Sequence, residues 1–473
     1  MRRDNCMLTR NHRPDVSLSI QPSPANINID AMEPTTHPDQ AISLKTAFWY
    51  WLKLGFISFG GPAGQIAMMH AELVDQRRWI SERRFLHALN YCMLLPGPEA
   101  TQLAVYIGWL MHRTIGGLMA GILFILPSLF ILIGLSWAYM IFGKHHIVSG
   151  VLYGIKPAIV AIVLAAAWRI GSRSLSTHFL KGIAACAFIA ITALKLPFPA
   201  IVLFAACAGA LFRQHCQLPT AHPDADSGQR THPRALIDDD TPTPVHARFS
   251  SRHLILVTLA GLLLCAGAWS LIAYATGWHN PLTEMAWLFT KTALLSFGGA
   301  YAVLPYVFQS AVDHFQWLSA AQMMDGLALG ETTPGPLIMV VAFVGFVSGW
   351  NQMPLGADSQ LLAGLLGACI AFFFTFLPSF IFILAGGPLV ESTRNQLRFT
   401  APLSAISAAV VGVIVSLAVF FASHVFYTAQ QQWDVPAIAL TLLACILVFR
   451  FKPGTITLLA IFGVLGLLCQ KLI

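Results

Sequence analysis

Long apolar runs separated by short polar loops dominate the chain, in two blocks around a lone apolar run at 253–275. Several runs, including 117–142, exceed the roughly 20 residues that an α-helix needs to cross a bilayer. The pattern predicts an all-α polytopic membrane protein. The first block has apolar segments near 46–60, 85–110, 115–140, 147–170, 179–194 and 198–212, and the second has them near 284–308, 320–349, 360–386, 403–425, 433–450 and 453–471.

Two polar stretches divide the chain into its predicted parts. Residues 1–44 are rich in Asp, Pro, Asn and Thr, which predicts a disordered N-terminal tail. Residues 213–252 are similarly polar and are interpreted as a flexible linker. The remaining parts are a first repeat at 45–212, a connecting transmembrane helix at 253–275 and a second repeat at 284–473.

The two blocks contain the same helix-breaking motifs at matched spacing. Ser-Phe-Gly-Gly occurs at 58–61 and again at 296–299, and Pro-Gly-Pro follows at 96–98 and 334–336. Aligning 48–108 with 286–346 gives 15 identities in 61 positions, and Pro127-Ser128 matches Pro378-Ser379 further on. These matches indicate an internal repeat, a feature that determines the fold class of a chain.

The number of segments predicts how the repeats are oriented. Six segments and one connecting helix precede the second repeat, so this repeat starts from the opposite side of the membrane. Inverted-topology repeats are common in secondary transporters. The predicted fold therefore contains two inverted repeats joined through a linker and one extra transmembrane helix.

Charge favours broken, re-entrant helices over thirteen full spans. With the N-terminus inside, thirteen spans would place the arginines of 77–84 outside and the Arg-free loop 309–319 inside. Both placements contradict the positive-inside rule. If each Ser-Phe-Gly-Gly and each Pro-Gly-Pro is the tip of a hairpin, the arginines lie in the cytoplasm, so we favour hairpins.

The repeated motifs are candidates for a binding site. Gly-Gly and Pro-Gly-Pro disfavour helix interiors, and broken helices occur at membrane depth only where they line a cavity or are buried in protein. The freed helix N-termini suit an anion. We predict one anion site from two mirrored halves, with kinking or close packing alone as the alternative. Its predicted residues are Ser58, Gly60, Gly61, Pro96, Gly97, Pro98, Gln102, Ser296, Gly298, Gly299, Pro334, Gly335 and Pro336, with Thr101 as a further donor.

Few charged residues lie in the apolar segments, and each is a functional candidate. Lys53 and Lys291 precede the two Ser-Phe-Gly-Gly motifs by five residues, and we predict that both hold the anion. The alternative is that they extend to the membrane interface. Glu99 and Glu331 lie beside the Pro-Gly-Pro breaks and either carry a coupling proton or cap freed N–H groups. The other candidates are Lys156 and Asp325.

Composition restricts the class of protein. The chain is 56% hydrophobic and 10% charged, against about 25% charged in soluble proteins. The net charge of +7 comes from loop Lys and Arg, as the positive-inside rule expects, so it does not indicate nucleic-acid binding. The nine cysteines form no Cys-x-x-Cys pair, so we expect neither a metal site nor a disulfide framework, and no cofactor.

The motifs resemble those of the chromate ion transporter family in its long, two-domain form. "SFGGPAGQIAMMHAELVDQRRWISERRF" and "LLPGPEATQLAVYIG" are similar to its first half, and "SFGGAYAVLPYV" and "GETTPGP" to its second. The resemblance implies a bacterial inner-membrane carrier, not an enzyme, that exports chromate using the proton-motive force and confers chromate resistance. The implied partners are chromate and protons. The apolar segments add the lipid bilayer as a partner, no nucleic acid is expected, and a homodimer is left open.

Three other functions are alternatives to chromate export, and the first two remain open from the sequence. A sulfate or other oxyanion carrier would use the same site, because sulfate resembles chromate in size and charge. A lipid-linked phosphate translocase could also use re-entrant hairpins. A membrane chromate reductase would need a nucleotide-binding or flavin domain, for which the 213–252 linker is too short. The sequence has no phosphate-binding loop for ATP.

Overall fold

Helices form nearly all of the structure, a computed structural model that describes residues 42–472. The gaps in this range are 60, 144, 213–234, 239–240, 242–243, 298–299, 393–399, 428–431 and 452. The predicted tail lies almost wholly outside the described residues. The first helix begins after Ser43, whose hydroxyl accepts a hydrogen bond from the Thr46 amide at 3.1 Å. This N-cap satisfies one of the free donors at the helix start.

The first repeat contains seven described helices. These are α1 (Leu44–Ile57), α2 (Gly61–His70) with a π-helical turn at Ala71–Gln76, α3 (Glu82–Cys92), α4 (Glu99–Phe142), α5 (His146–Ser174), α6 (His178–Thr192) and α7 (Phe198–Leu211). The connecting helix is α8 (Ser251–Thr276).

The second repeat follows the same order. Its helices are α9 (Pro281–Leu295), α10 (Ala300–Phe308) with a π-helical turn at Gln309–His314, α11 (Ala320–Thr332), α12 (Val340–Gln352), α13 (Gln360–Ser392), α14 (Thr400–Phe426), α15 (Val435–Ile446) with a π-helical turn at Leu447–Phe451, and α16 (Thr455–Leu472).

Five described helices are long and apolar enough to cross a membrane, namely α4, α5, α8, α13 and α14. The prediction of an all-α polytopic membrane protein is confirmed. The helices around the breaks are much shorter. The 11 residues of α3 extend about 17 Å, well below the roughly 30 Å of a hydrocarbon core. Such lengths favour half-helices at the breaks over full spans.

The internal repeat of the sequence reappears in the backbone. The two π-helical turns at Ala71–Gln76 and Gln309–His314 occupy equivalent positions. Each is followed by a residue in the left-handed region, Arg78 and Gln316, both with φ of 52°. A non-glycine residue with positive φ is uncommon, so its recurrence identifies the same turn in both repeats. The inverted orientation of the repeats stays a prediction.

Helix α4 is bent near its first third. His112 and Arg113 have non-helical backbone angles, with φ of −133° and 56°. The bend separates a short arm, 99–111, from a long arm, 114–142. In the second repeat the equivalent of the bend is the connection between α12 and α13, where Met353 also has positive φ. The short arm of α4 therefore corresponds to α12 and the long arm to α13.

The two repeats exchange neighbours instead of folding side by side. Helix α5 packs against α15 and α16 of the second repeat, and its equivalent α14 packs against α6 and α7 of the first. The long arm of α4 crosses α13, where Gly117 and Gly121 face Leu384 and Phe380. The core therefore belongs to both repeats together.

Part of the predicted linker contacts the first repeat. Residues 213–234 lie outside the described residues, but the Leu236 amide donates to the Arg78 carbonyl at 2.9 Å, and the Ile237 amide to the Trp79 carbonyl at 3.1 Å. The Arg84 side chain donates to the Thr241 carbonyl at 2.5 Å. The end of the linker therefore lies on the Arg-rich loop before α8 begins.

Candidate functional site

Each Ser-Phe-Gly-Gly motif separates two helices, as predicted. Helix α1 ends at Ile57, and α2 begins at Gly61, whose φ is 72°. In the second repeat, α9 ends at Leu295 and α10 begins at Ala300. The remaining predicted glycines of these motifs, Gly60, Gly298 and Gly299, lie outside the described residues.

The Pro-Gly-Pro motifs form sharp turns that require glycine. Gly97 has φ of 129° and Gly335 has φ of 99°, in a region that other residues rarely adopt. The flanking prolines fix the chain on either side of each glycine, and neither proline offers an amide hydrogen. The central glycine is therefore the one residue of each turn that can donate a backbone hydrogen bond.

Each Pro-Gly-Pro turn is bonded to the Ser-Phe-Gly-Gly break of the other repeat. The Gly97 amide donates to the Ser296 carbonyl at 3.0 Å, and the Gly335 amide donates to the Ser58 carbonyl at 2.8 Å. These two crossed bonds are equivalent under the repeat. The structure therefore joins a break of one repeat to a break of the other at two places.

Two buried amide side chains satisfy the carbonyls of the turns. Gln65 Nε2 donates to the Gly335 carbonyl at 2.5 Å and to the Ser58 carbonyl at 3.3 Å. Gln102 Nε2 donates to the Pro96 carbonyl at 2.7 Å. Gln65 and Gln102 do not occupy equivalent repeat positions, yet each serves one turn. Buried carbonyls need such partners, because an unpaired polar group in a membrane protein is costly.

The turns lie directly against the long helices. A Cβ atom added to Gly335 would lie 2.7 Å from Cβ of Ser128 on α4, and one added to Gly97 would meet Oγ of Ser379 on α13. Such a Cβ would also meet Gln102 beside Gly97. Any larger residue in either turn would therefore force neighbouring groups apart.

The predicted lysines do not lie among these buried groups. The Lys53 side chain is 60% exposed, and its Nζ is 4.0 Å from Glu72. Lys291 Nζ lies 5.4 Å from the centre of the Trp287 ring, which is itself exposed. These positions are typical of side chains that extend to the membrane interface. A role of the two lysines in holding an anion stays a prediction.

The two predicted carboxylates have different surroundings. Glu331 lies in the last turn of α11, before the Pro-Gly-Pro break, and accepts a hydrogen bond from the hydroxyl of Tyr301, just after the other break. Glu99 is the first residue of α4, where a carboxylate interacts favourably with the helix dipole. Both positions are compatible with capping and with proton binding, so the prediction stays open.

The other two charged candidates form an ion pair whose carboxylate is buried and whose ammonium is partly exposed. Asp325 of α11 is 4% exposed, and its Oδ1 lies 3.3 Å from Nζ of Lys156 on α5. The hydroxyl of Tyr139 on α4 donates to its Oδ2 at 2.9 Å. This cluster connects the helix before the second Pro-Gly-Pro turn to two helices of the first repeat.

Sequence reasoning missed four buried polar side chains, of which three contact the turns. Gln65 was overlooked as a single amide in an apolar helix, although it lies about one turn after the break. Ser128 and Ser379 were used to align the repeats but not considered for the site. Glu391 is 8% exposed and accepts a hydrogen bond from Tyr106. The repeat match of the two serines was the available signal.

No cluster of three or more potential metal ligands occurs among the residues that the structure describes. The groups that contact the two turns are backbone amides, amide side chains and serines. Such groups donate hydrogen bonds to anions and are poor ligands for a transition metal.

Broken helices that meet at buried polar turns in a multi-pass helical membrane protein are typical of secondary transporters. The comparisons identify the family. The family model described as "Chromate transporter" matches residues 45–210 and 283–467, so this chain belongs to the chromate transporter family. Members of this family are transport proteins, not enzymes.

Three curated relatives cover most of the chain. The chromate transport protein of Cupriavidus metallidurans is 26% identical over 88% of this chain and 91% of its own. The probable chromate transport protein of Synechococcus elongatus is 26% identical over 91% and 97%. The chromate transport protein of Pseudomonas aeruginosa is 31% identical over 79% and 80%. No solved structure matches this chain.

Proposed function

We propose that this protein exports chromate across the bacterial inner membrane, driven by the proton-motive force, and thereby confers chromate resistance. The observation that carries the proposal is the pair of crossed bonds, Gly97 to Ser296 and Gly335 to Ser58, which unites the breaks of both repeats. The family and the names of the relatives support chromate as the cargo.

The two Pro-Gly-Pro turns are called the crossed turns here, because each bonds to the opposite repeat. Their chemistry suits an oxyanion. Helix α4 begins directly after the Pro-Gly-Pro turn at 96–98, and the free N–H groups at its N-terminus carry a partial positive charge. The Nε2 groups of Gln65 and Gln102 donate to the Gly335 and Pro96 carbonyls, so these two backbone oxygens are already paired. An anion between the turns would displace the crossed bonds and take over their donors.

Energetics favour export as the direction of transport. Moving one charge through 100 mV changes the free energy by about 2.3 kcal/mol, and the interior of a bacterial cell is negative. A dianion therefore leaves the cell along the electrical gradient. The proton gradient adds to this drive if a carboxylate such as Glu99 or Glu331 binds a proton during the cycle.

Transport into everted membrane vesicles tests the proposal. We expect chromate to accumulate in vesicles with a proton gradient, and to accumulate less after a protonophore is added. Vesicles without the protein are the control. Gradient-independent binding without accumulation would contradict the proposal.

The alternative cargoes are separated by the same assay. Excess sulfate should compete weakly if chromate is the preferred substrate, and strong competition would favour a general sulfate or oxyanion carrier. A lipid-linked phosphate translocase would give no chromate flux and no growth advantage on chromate. A homodimer stays a prediction that detergent-solubilised protein can test by its mass.

A further inference from the structure

Two serines on the long helices have no hydrogen-bond partner although they are fully buried. Ser128 on α4 and Ser379 on α13 are both 0% exposed, and the Oγ atoms of both are unpaired in the structure. They follow Pro127 and Pro378, which match between the repeats. A buried hydroxyl without a partner destabilises a protein, so its recurrence at two equivalent positions needs a reason.

The same helix shows how a serine is normally satisfied. Ser136, two turns after Ser128 on α4, is also 0% exposed, but its hydroxyl donates to the Leu132 carbonyl at 2.6 Å. This bond to the preceding turn is the usual solution for a buried helical serine. If Ser128 were needed only for its small size, alanine would fill the same space without an unpaired hydroxyl.

The two serines complete two half-sites whose serines and glycines, but not their glutamines, are equivalent under the repeat. The first half-site consists of Ser58, Gln65 and Ser128 of the first repeat around Gly335 of the second. The second half-site consists of Ser296 and Ser379 of the second repeat, with Gln102, around Gly97 of the first.

The half-sites contain further unpaired groups. The hydroxyls of Ser58 and Thr101 are fully buried and have no partner in the structure. Thr101 precedes Gln102 in the first turn of α4, beside the second half-site. Each half-site thus combines a helix break with a hydroxyl that is free to donate.

We propose that two serine hydroxyls bind the transported tetrahedral oxyanion directly. Ser128 supplies the hydroxyl of the first half-site, and Ser379 supplies that of the second. The inference rests on the proposed function and identifies the side chains that bind the transported anion. Neutral hydroxyls and amides hold the anion, and the lysines Lys53 and Lys291 lie outside this set. A hydrogen bond to a charged group is stronger than one to a neutral group, so removing each donor should weaken binding roughly 10-fold to 100-fold.

Equilibrium binding of radiolabelled chromate and sulfate to the purified full-length protein tests the proposal. We expect Ser128→Ala and Ser379→Ala each to weaken binding by about 10-fold or more, and the double variant to bind more weakly still. Ser136→Ala is the matched control and should keep wild-type affinity. The melting temperature of the ligand-free Ser128→Ala and Ser379→Ala proteins should be unchanged or higher, because they lose an unpaired hydroxyl.

Wild-type affinity in both alanine variants would overturn this inference and leave chromate export standing. A lower melting temperature with unchanged affinity would overturn it as well, because the serines would then be structural. Binding of sulfate but not chromate by the wild type, with the serines required, would support the half-sites and contradict chromate as the cargo. A wild-type protein that binds neither anion would contradict both proposals.

Discussion

At the scale of single residues, Glu99 and Glu331 are the two carboxylates nearest in sequence to the Pro-Gly-Pro turns, and we predict that their charge affects anion binding. An ionised carboxylate about 4 Å from an anion would cost about 4 kcal/mol per charge pair at an effective dielectric near 20. Protonation removes this repulsion, so the anion should bind while the acid is neutral and leave when it ionises. Anion affinity should therefore fall as pH rises through the titration of the carboxyl.

Replacing either acid by glutamine tests this role. We expect Glu99→Gln or Glu331→Gln to keep anion binding at high pH and to flatten the pH profile of chromate flux. The measurement is flux in everted vesicles over a pH series at matched expression. If both variants keep the wild-type profile, the carboxylates are structural caps, as the bond from Tyr301 to Glu331 would then suggest.

The sequence predicts which residues form the turns better than it predicts where the nearby side chains extend. The positive φ of Gly97 and Gly335 follows from motifs whose glycines are flanked by prolines. The lysines are different, because their repeat-matched positions do not determine where flexible side chains extend. The structure directs Lys53 to Glu72 and Lys291 to Trp287. Side-chain direction depends on packing that no local pattern contains.

At the scale of helices, the ion pair of Asp325 and Lys156 fastens α11 to α5. Removing the buried carboxylate leaves the partly exposed Lys156 ammonium without its partner, so the cost should lie below the about 3–5 kcal/mol of a fully buried pair. We expect Asp325→Asn to lower the melting temperature of the purified protein clearly. Lys53→Gln should have little effect, because the exposed pair with Glu72 contributes little.

The double variant Asp325→Leu with Lys156→Met sharpens this test. Well-packed apolar residues often replace a buried ion pair without loss, so stability should return toward that of the wild type. An unchanged melting temperature in Asp325→Asn would contradict a stabilising role for the pair.

Helix breaks were predictable, but their partners were not. Gly-Gly and Pro-Gly-Pro ended the helices where the sequence indicated, and the apolar segments near 85–110 and 115–140 flank the bend at His112 and Arg113. The crossed docking of each turn on the opposite repeat depends on contacts between residues about 200 or more positions apart. A repeat in sequence predicts equal elements and leaves their neighbours undetermined.

At the scale of the whole molecule, the orientation of the two repeats is the main topological prediction. The loop around Arg83 is rich in arginine, and its repeat counterpart around Gln316 has none. Hairpins would place the first loop in the cytoplasm and the second outside. Arg83 and Gln316 are both exposed, so a cysteine at either position is accessible to a reagent from its own side.

Thiol labelling of intact cells measures this orientation. In a background without native cysteines, Gln316→Cys should react with an impermeant reagent, whereas Arg83→Cys should react only after the cells are permeabilised. The reverse pattern would contradict the hairpins and restore thirteen full spans, whereas labelling of both cysteines from the same side would contradict the inverted arrangement.

The packing of helices against the opposite repeat could not be predicted from the sequence. Helices α5 and α14 pack mainly on the opposite repeat, which makes the core a joint product of both halves. Apolar composition directs a segment into the membrane, but every membrane helix is apolar, so composition does not select its neighbour. The crossed turns and the exchanged helices follow the same pseudo-symmetric arrangement.

The central claim is that chromate passes between the crossed turns, and flux through the purified protein in liposomes tests it most directly. Gly335→Ala places a Cβ against Ser128 and a side chain at φ of 99°, which costs more than about 1–2 kcal/mol locally. We expect this strain to raise the barrier to transport, for which about 1.4 kcal/mol corresponds to a tenfold lower rate. Gly134→Ala on α4 is the matched control, because its added Cβ meets nothing within 4 Å.

With equal amounts of reconstituted protein, wild type and Gly134→Ala should transport chromate equally. Gly335→Ala and Gly97→Ala should each lose at least about nine-tenths of the flux. Wild-type flux in both turn variants would contradict the central claim.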